Sequence, residues 1–413
     1  MHQTSIPIVS IADTPNVAVK AKPMPYLHGI RGIAALWVLM FHTQLISGMR
    51  QLPLLSYGSL RMELFMILSG FLMAHNYLDR QVKDPWRSPR TWLSFWTRRF
   101  FRIAPLYYVV LFVAIVSGPY LGEYRKSLGE KWPTAQTKPE RYTDHSISNV
   151  VTHVTFVFGA MPDYAYSTPL PDWSLGLEMQ FYFVFPFLML AVAWAGALRT
   201  AIIAVAGCLA FENIFPDFVS RFELPSFLPM KLYMFLCGIM LATERVKGTL
   251  WRGLLVSLLA CLAYGLRDPL THTASRMAMV AFIYYLLNDG TLPTCSRLET
   301  CLNRIKSILG GKVGHFMGEM SYGVYLLHLF ILIPTAGILA NYDIYAQSSG
   351  AARFAMCLGI VIPLVYLLAP VTNKYIERPG VWFGRRVGEY FLASNRYYTG
   401  NTQTQESKHP GEG

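Results

Sequence analysis

"HGIRGIAALWVLMFHTQL", residues 28–45, is long and apolar enough for a membrane-spanning helix, yet it holds a guanidinium at Arg31 and an imidazole at His42. An α-helix turns ~100° and rises ~1.5 Å per residue, so Arg31 and His42 lie about 20° apart in azimuth and about 16 Å apart in depth. They share one face. Arg31 is expected at the cytoplasmic interface and His42 near mid-membrane. Taken alone, the pair is explained as well by a snorkelling arginine and a histidine bonded to a neighbouring helix as by a functional site.

The rest of the chain agrees with a membrane setting. It is 53% hydrophobic and 15% charged, where a soluble domain usually carries about 25% charged residues. The net charge of +12 sits mainly in loops between apolar runs, which is the pattern of a cytoplasmic membrane face and not of a nucleic-acid partner. Cys208, Cys237, Cys261, Cys295, Cys301 and Cys357 are scattered, so neither a disulfide framework nor a metal site is expected. No basic start leads into a long apolar region within residues 1–25, so no cleaved signal peptide is expected, and the first span serves as the targeting signal.

Ten spans are predicted, at roughly 29–48, 58–78, 101–120, 174–196, 201–215, 227–243, 253–267, 275–288, 316–340 and 351–372. Residues 148–171 are too broken by Gly and Pro to cross and read as re-entrant or interfacial. Loop 79–102 carries Arg80, Lys83, Arg87, Arg90, Arg98, Arg99 and Arg102 against Asp79 and Asp84. That imbalance predicts both termini cytoplasmic. The fold class is therefore an all-α polytopic helix bundle: a cytoplasmic segment 1–25, a transmembrane domain 26–380, and a cytoplasmic tail 381–413, polar and disordered after Ala393. No inverted repeat of the transporter kind and no appended soluble domain is visible.

Other intramembrane polar groups shift the balance at Arg31 and His42 towards function. "RMELFMILSGFLMA" buries Glu63 in the second span, where a carboxylate needs a partner, while Ser69 and Gly70 read as close helix packing. "PDWSLGLEMQFYF" offers Asp172 as an N-cap and places Glu178 one turn beyond Ser174. "SYGVYLLH" aligns Ser321, Tyr325 and His328 on one stripe. In "WTRRFFRIAPLYY" Arg98 is explained by topology, whereas Arg99 and Arg102 stand on adjacent turns before Pro105 and suit a phosphorylated ligand.

In order and content these segments resemble the acyltransferase family 3 membrane proteins, integral O-acyltransferases of the O-antigen and exopolysaccharide-modifying type. The resemblance rests on Arg31 with His42, "FMILSGF" at 65–71, "RRFFRIAPLYY" at 98–108, "WSLGLEMQFY" at 173–182, "SYGVYLLH" at 321–328 and "ERP" at 377–379. Two departures stand out: the family often has an acidic residue where His28 stands, and Asp where Glu63 stands. The fused hydrolase-like domain of some relatives is not seen, so a later transfer step would need another protein.

The resemblance implies transfer of an acyl group, usually acetyl, from cytoplasmic acyl-CoA to a hydroxyl of an extracytoplasmic or lipid-linked carbohydrate, in the inner membrane and without a metal. Arg31, Arg99 and Arg102 are expected to hold the acyl-CoA phosphates. His42 is expected as general base or transient acyl carrier, with Glu63 or Glu178 orienting it and Tyr325 and His328 donating to the oxyanion. The expected partners are acyl-CoA, a carbohydrate or glycolipid acceptor and membrane lipid, with no nucleic acid. The rival classes are a transporter or flippase, and an acyltransferase acting on a small molecule such as a macrolide.

Overall fold

The computed structural model describes residues 24–56, 60–80, 86, 88–266, 268–288 and 296–406. The N-terminal segment up to residue 23, residues 81–85 and 87 of the basic loop, Cys295 and residues 407–413 lie outside the described residues.

Helices form the whole framework, with no strand among the described residues. In chain order they are α1 (Tyr26–Ile46), α2 (Leu60–Arg80), α3 (Pro89–Lys131), α4 (Ile147–Val154), α5 (Trp173–Ala195), α6 (Ala197–Ile214) and α7 (Leu232–Val246). There follow α8 (Leu250–Gly265), α9 (Leu270–Leu287), α10 (Ser296–Gly310), α11 (Lys312–Leu339), α12 (Gly350–Thr372) and α13 (Arg378–Glu406). Each of the ten predicted apolar segments falls on one of these helices. By length and composition, six helices among the described residues can cross a membrane: α1, α3, α5, α6, α11 and the run Gly350–Leu392. On α3, Phe112, Val116 and Tyr120 repeat every four residues and are 67%, 60% and 70% exposed, a stripe that only lipid would cover favourably.

Small residues set the closest approaches. Where α1 crosses α11, a Cβ on Gly32 would stand 2.6 Å from the carbonyl carbon of Met317, so only glycine lets the two backbones meet. Gly70, read as a packing residue, does the same work between α2 and the backbone of Phe235 on α7. The close seating of α1 on α11 brings the first span, with Arg31 and His42, against the span that carries Tyr325 and His328.

The segment 148–171 does not cross. It forms α4 and then a short 3-10 turn at Val157–Ala160, joined through Phe156 in the left-handed region (φ +61°). Two expectations are corrected at the chain's basic loop and end. The loop 79–102 is helical from Pro89 onward, because proline at the first turn and an aromatic-rich face start α3 early. The tail expected to be disordered after Ala393 instead continues as α13 to Glu406, a helix that follows a π-helical turn at Asn373–Glu377. Gly380, Gly384 and Gly388 recur every four residues along α13 and pack on Pro105, Phe101 and Ser94 of α3, a stripe of close approach.

Candidate active site

The three arginines expected to take phosphates converge. Arg31 from α1 and Arg99 and Arg102 from α3 line one cleft of about 510 Å³. Arg31 and Arg102 also line a second cleft, of about 420 Å³, together with Glu319, Glu377 and Arg378. The guanidinium of Arg99 lies 5.6 Å from the Tyr182 ring and 5.7 Å from that of Phe95, so aromatic faces fix its position. Glu178 sits in the same cleft, where its Oε1 accepts from Ser69 Oγ at 3.1 Å and from the Tyr182 hydroxyl. Ser69, read as a packing residue, is thus a hydrogen-bond donor in the cleft.

Arg31 and Glu178 stand where this cleft meets a narrow inner chamber of about 50 Å³, which runs past Phe65 and Met66 to Ser174, Ser321 and Tyr325. One turn beyond Tyr325 on α11 is His328, fully buried. Its Nε2 is 2.9 Å from Nδ1 of His42, with the rings 4.9 Å apart, while its own Nδ1 is 2.7 Å from the Tyr325 carbonyl and 3.2 Å from that of Val324. His42 keeps partial exposure.

This geometry fixes both tautomers. A carbonyl can only accept, so Nδ1 of His328 carries the proton and its Nε2 is a bare acceptor. Nδ1–H of His42 then donates to that acceptor, and Nε2 of His42 is left with a free lone pair. The orienting group for His42 is therefore His328, and neither carboxylate fills that role. His328, expected to donate to an oxyanion, has both ring nitrogens engaged and cannot. Tyr325 also has its hydroxyl committed, to the Pro171 carbonyl and, at 2.9 Å, to Ser174 Oγ.

Glu63 is placed elsewhere. Fully buried on α2, its carboxylate receives Lys231 Nζ at 2.5 Å and Arg276 Nε at 3.0 and 3.1 Å, and Arg276 also pairs with Asp268. The expected catalytic carboxylate is thus the anion of a buried tie between α2, α9 and the start of α7. Removing its charge leaves two buried cations facing each other. Glu63→Gln is expected to cost about 3–5 kcal/mol of stability, read as an early thermal unfolding midpoint of the detergent-solubilised protein. A midpoint within a degree of wild type would contradict this.

Sequence reading missed a second buried polar cluster. Asp172 stands at the N-cap position of α5, but its side chain makes no capping bond. Its Oδ2 instead accepts from Tyr107 and Thr168, both at 3.0 Å, and lies 3.7 Å from Nε2 of His153. His153 stacks on Phe158 at 4.2 Å. The cluster holds the turn that leads into α5 and so presents Ser174 to Tyr325. The available signal was the tyrosine in "APLYY" and a histidine inside an otherwise interfacial segment. His28, whose role the resemblance left in doubt, lines both outer clefts beside His315. Cys208, Cys237, Cys261, Cys301 and Cys357 are free thiols, and no group of three or more metal-ligating side chains occurs among the described residues.

Comparison with known proteins bears on this site. The family model described as "Acyltransferase domain" matches residues 24–369. Acyltransferase MdmB of Streptomyces mycarofaciens is 25% identical over 388 residues, covering 85% of this chain and 91% of that protein. A Caenorhabditis elegans protein named Regulator of hypoxia-inducible factor 1 is 28% identical over 195 residues, 40% of this chain and 34% of its own length. Peptidoglycan O-acetyltransferase OatA of Listeria monocytogenes is 22% identical over 391 residues, and the match spans 87% of this chain but only 56% of the relative. No solved structure matches the chain. With the apolar helices, these similarities make it a multi-pass membrane protein.

Proposed function

The chain belongs to the family of that acyltransferase domain, and on this premise we propose that it is an acyl-CoA-dependent membrane O-acyltransferase. Acetyl is the simplest group to transfer, and the acceptor is a hydroxyl on an extracytoplasmic or lipid-linked carbohydrate. The relatives' printed names support acyl transfer, and one of them, a peptidoglycan O-acetyltransferase, supports acetyl transfer to oxygen. The ten helical segments cross the inner membrane with both termini cytoplasmic, as the basic loop before α3 favours.

The observation that carries the reading is the bond from His42 Nδ1 to His328 Nε2. Acyl-CoA enters from the cytoplasm with its phosphates on Arg31, Arg99 and Arg102, and the pantetheine arm follows the inner chamber towards Tyr325. Nε2 of His42 takes the proton from the acceptor hydroxyl as that oxygen attacks the thioester carbonyl. The tetrahedral intermediate collapses with cleavage of the C–S bond, and the CoA thiolate takes the proton back from the imidazolium. The ester and free CoA are the products.

Labelled acetyl-CoA given to membranes holding the protein tests the reading. An acyltransferase releases CoA and leaves ester-linked label on carbohydrate, whereas a transporter leaves the thioester intact. Arg31→Ala is expected to raise KM for acyl-CoA about tenfold to a hundredfold, since a charge-assisted hydrogen bond contributes about 1.5–3 kcal/mol. Arg31→Lys should recover only part of this, because the bidentate fork is lost. An unchanged dependence on donor concentration in both variants would remove Arg31 from donor binding.

A further inference from the structure

The donor side of His42 uses Arg31, Arg99 and Arg102, but a second set of cations approaches the same imidazole from elsewhere. Among the charged side chains whose fields reach His42 are Arg61, Arg125 and Arg141. Arg125 lies 23 residues beyond Arg102 on α3, about 35 Å along the helix, and so at the opposite end of that helix from the donor cleft.

Arg125 is an anomaly. Its Nε and Nη1 are sealed from solvent and meet no hydrogen-bond acceptor. The groups around it are the tyrosines Tyr142 and Tyr166 and a like charge, Arg141. Arg141 is accounted for by its own neighbours. It donates to the carbonyls of Thr168 at 2.8 and 3.1 Å and of Leu170 at 3.3 Å, and it stacks 3.5 Å from the centre of the Tyr166 ring. Those contacts satisfy its hydrogen bonds, and the buried carboxylate of Asp172 lies within reach of its charge, so the guanidinium left without a counter-charge is that of Arg125. A half-buried guanidinium with two sealed donors unmet, placed near a second arginine, is costly to fold and is kept where a ligand supplies the missing charge.

We propose that Arg125 binds an anionic group, carboxylate or phosphate, carried by the acceptor. This rests on the reading of His42 as the site of acyl transfer, and it narrows the acceptor to an acidic carbohydrate or a phosphate-linked one. The planar guanidinium matches two oxygens of either anion, and aromatic side chains beside it suit a sugar face. An anion at this point also offsets the positive charge that His42 gains when it takes the hydroxyl proton.

Thermal unfolding of the purified, detergent-solubilised protein tests this, with saturating CoA present so that the donor cleft is filled. The probes are D-glucuronate for an acidic sugar, inorganic pyrophosphate for a lipid-linker phosphate, and D-glucose as the neutral control. At least one anion is expected to raise the wild-type midpoint by several degrees while glucose does not, and the responding anion identifies the source of the charge. Arg125→Gln is expected to lose that rise, to keep the rise caused by CoA, and to melt no lower than wild type without anions, because it removes a charge that nothing balances. Arg125→Lys should keep a weakened response. An equal rise in Arg125→Gln, no anion response in wild type, or an Arg125→Gln protein that fails to fold would each overturn the proposal. Wild-type protein that consumes acetyl-CoA without an anion response would refute the acidic acceptor and leave acyl transfer standing.

Discussion

His42→Gln is expected to lower the transfer rate by about 10²–10⁴-fold, the range that a positioned general base supplies. Glutamine keeps polarity and approximate size but offers no nitrogen lone pair to take the hydroxyl proton. The loss should fall on kcat, with the KM for acyl-CoA nearly unchanged, because the phosphates are held about 16 Å away at Arg31. Membrane insertion should be normal. Single-turnover measurement of labelled acetyl transfer in membranes checks this, and a variant within a few-fold of wild type would exclude His42 as the base.

His328→Leu should be the next most damaging change, at about a hundredfold in kcat. Leucine fills the volume of the ring but cannot accept the Nδ1–H of His42. The imidazole then turns freely and spends much of its time as the tautomer whose Nε2 already carries a proton. His328→Gln separates this role from packing, since its amide oxygen can again accept from His42, and activity should return to within about tenfold of wild type. Equal loss in both variants, or a loss expressed only as lower stability, would make His328 a packing residue. Either way the effect is confined to kcat, whereas the Arg31 variants act on donor KM.

Most of the helix framework was legible in the sequence, because apolar runs and their lengths are local properties. All ten predicted segments fall on helices, and the shared face of Arg31 and His42 followed from helix geometry alone. Arg31, Arg99 and Arg102 line one cleft, which the spacing of Arg99 and Arg102 on adjacent turns permits. What could not be read was partnership across the chain. Glu63 looked catalytic because Lys231 and Arg276, its counter-ions, lie 168 and 213 positions away. His328 was assigned to an oxyanion because nothing local reveals that it meets His42 across 286 positions. Asp172 has the sequence context of a cap, yet its carboxylate turns to Tyr107, which reaches it only when α3 and α5 are packed. The packing of the last helix went unread for another reason: the glycine stripe of α13 finds its partner surface on α3 only in the fold.

The central claim is that a cytoplasmic thioester is led past Arg31 to the imidazole of His42. Its most direct test is the structure of the protein bound to acetonyl-CoA, in which a methylene inserted between sulfur and carbonyl leaves no thioester to cleave. The account predicts phosphates on Arg31, Arg99 and Arg102, the pantetheine arm in the inner chamber, and the ketone carbon beside Nε2 of His42. A pantetheine arm that leaves the arginines in another direction, with the ketone far from His42, would contradict it.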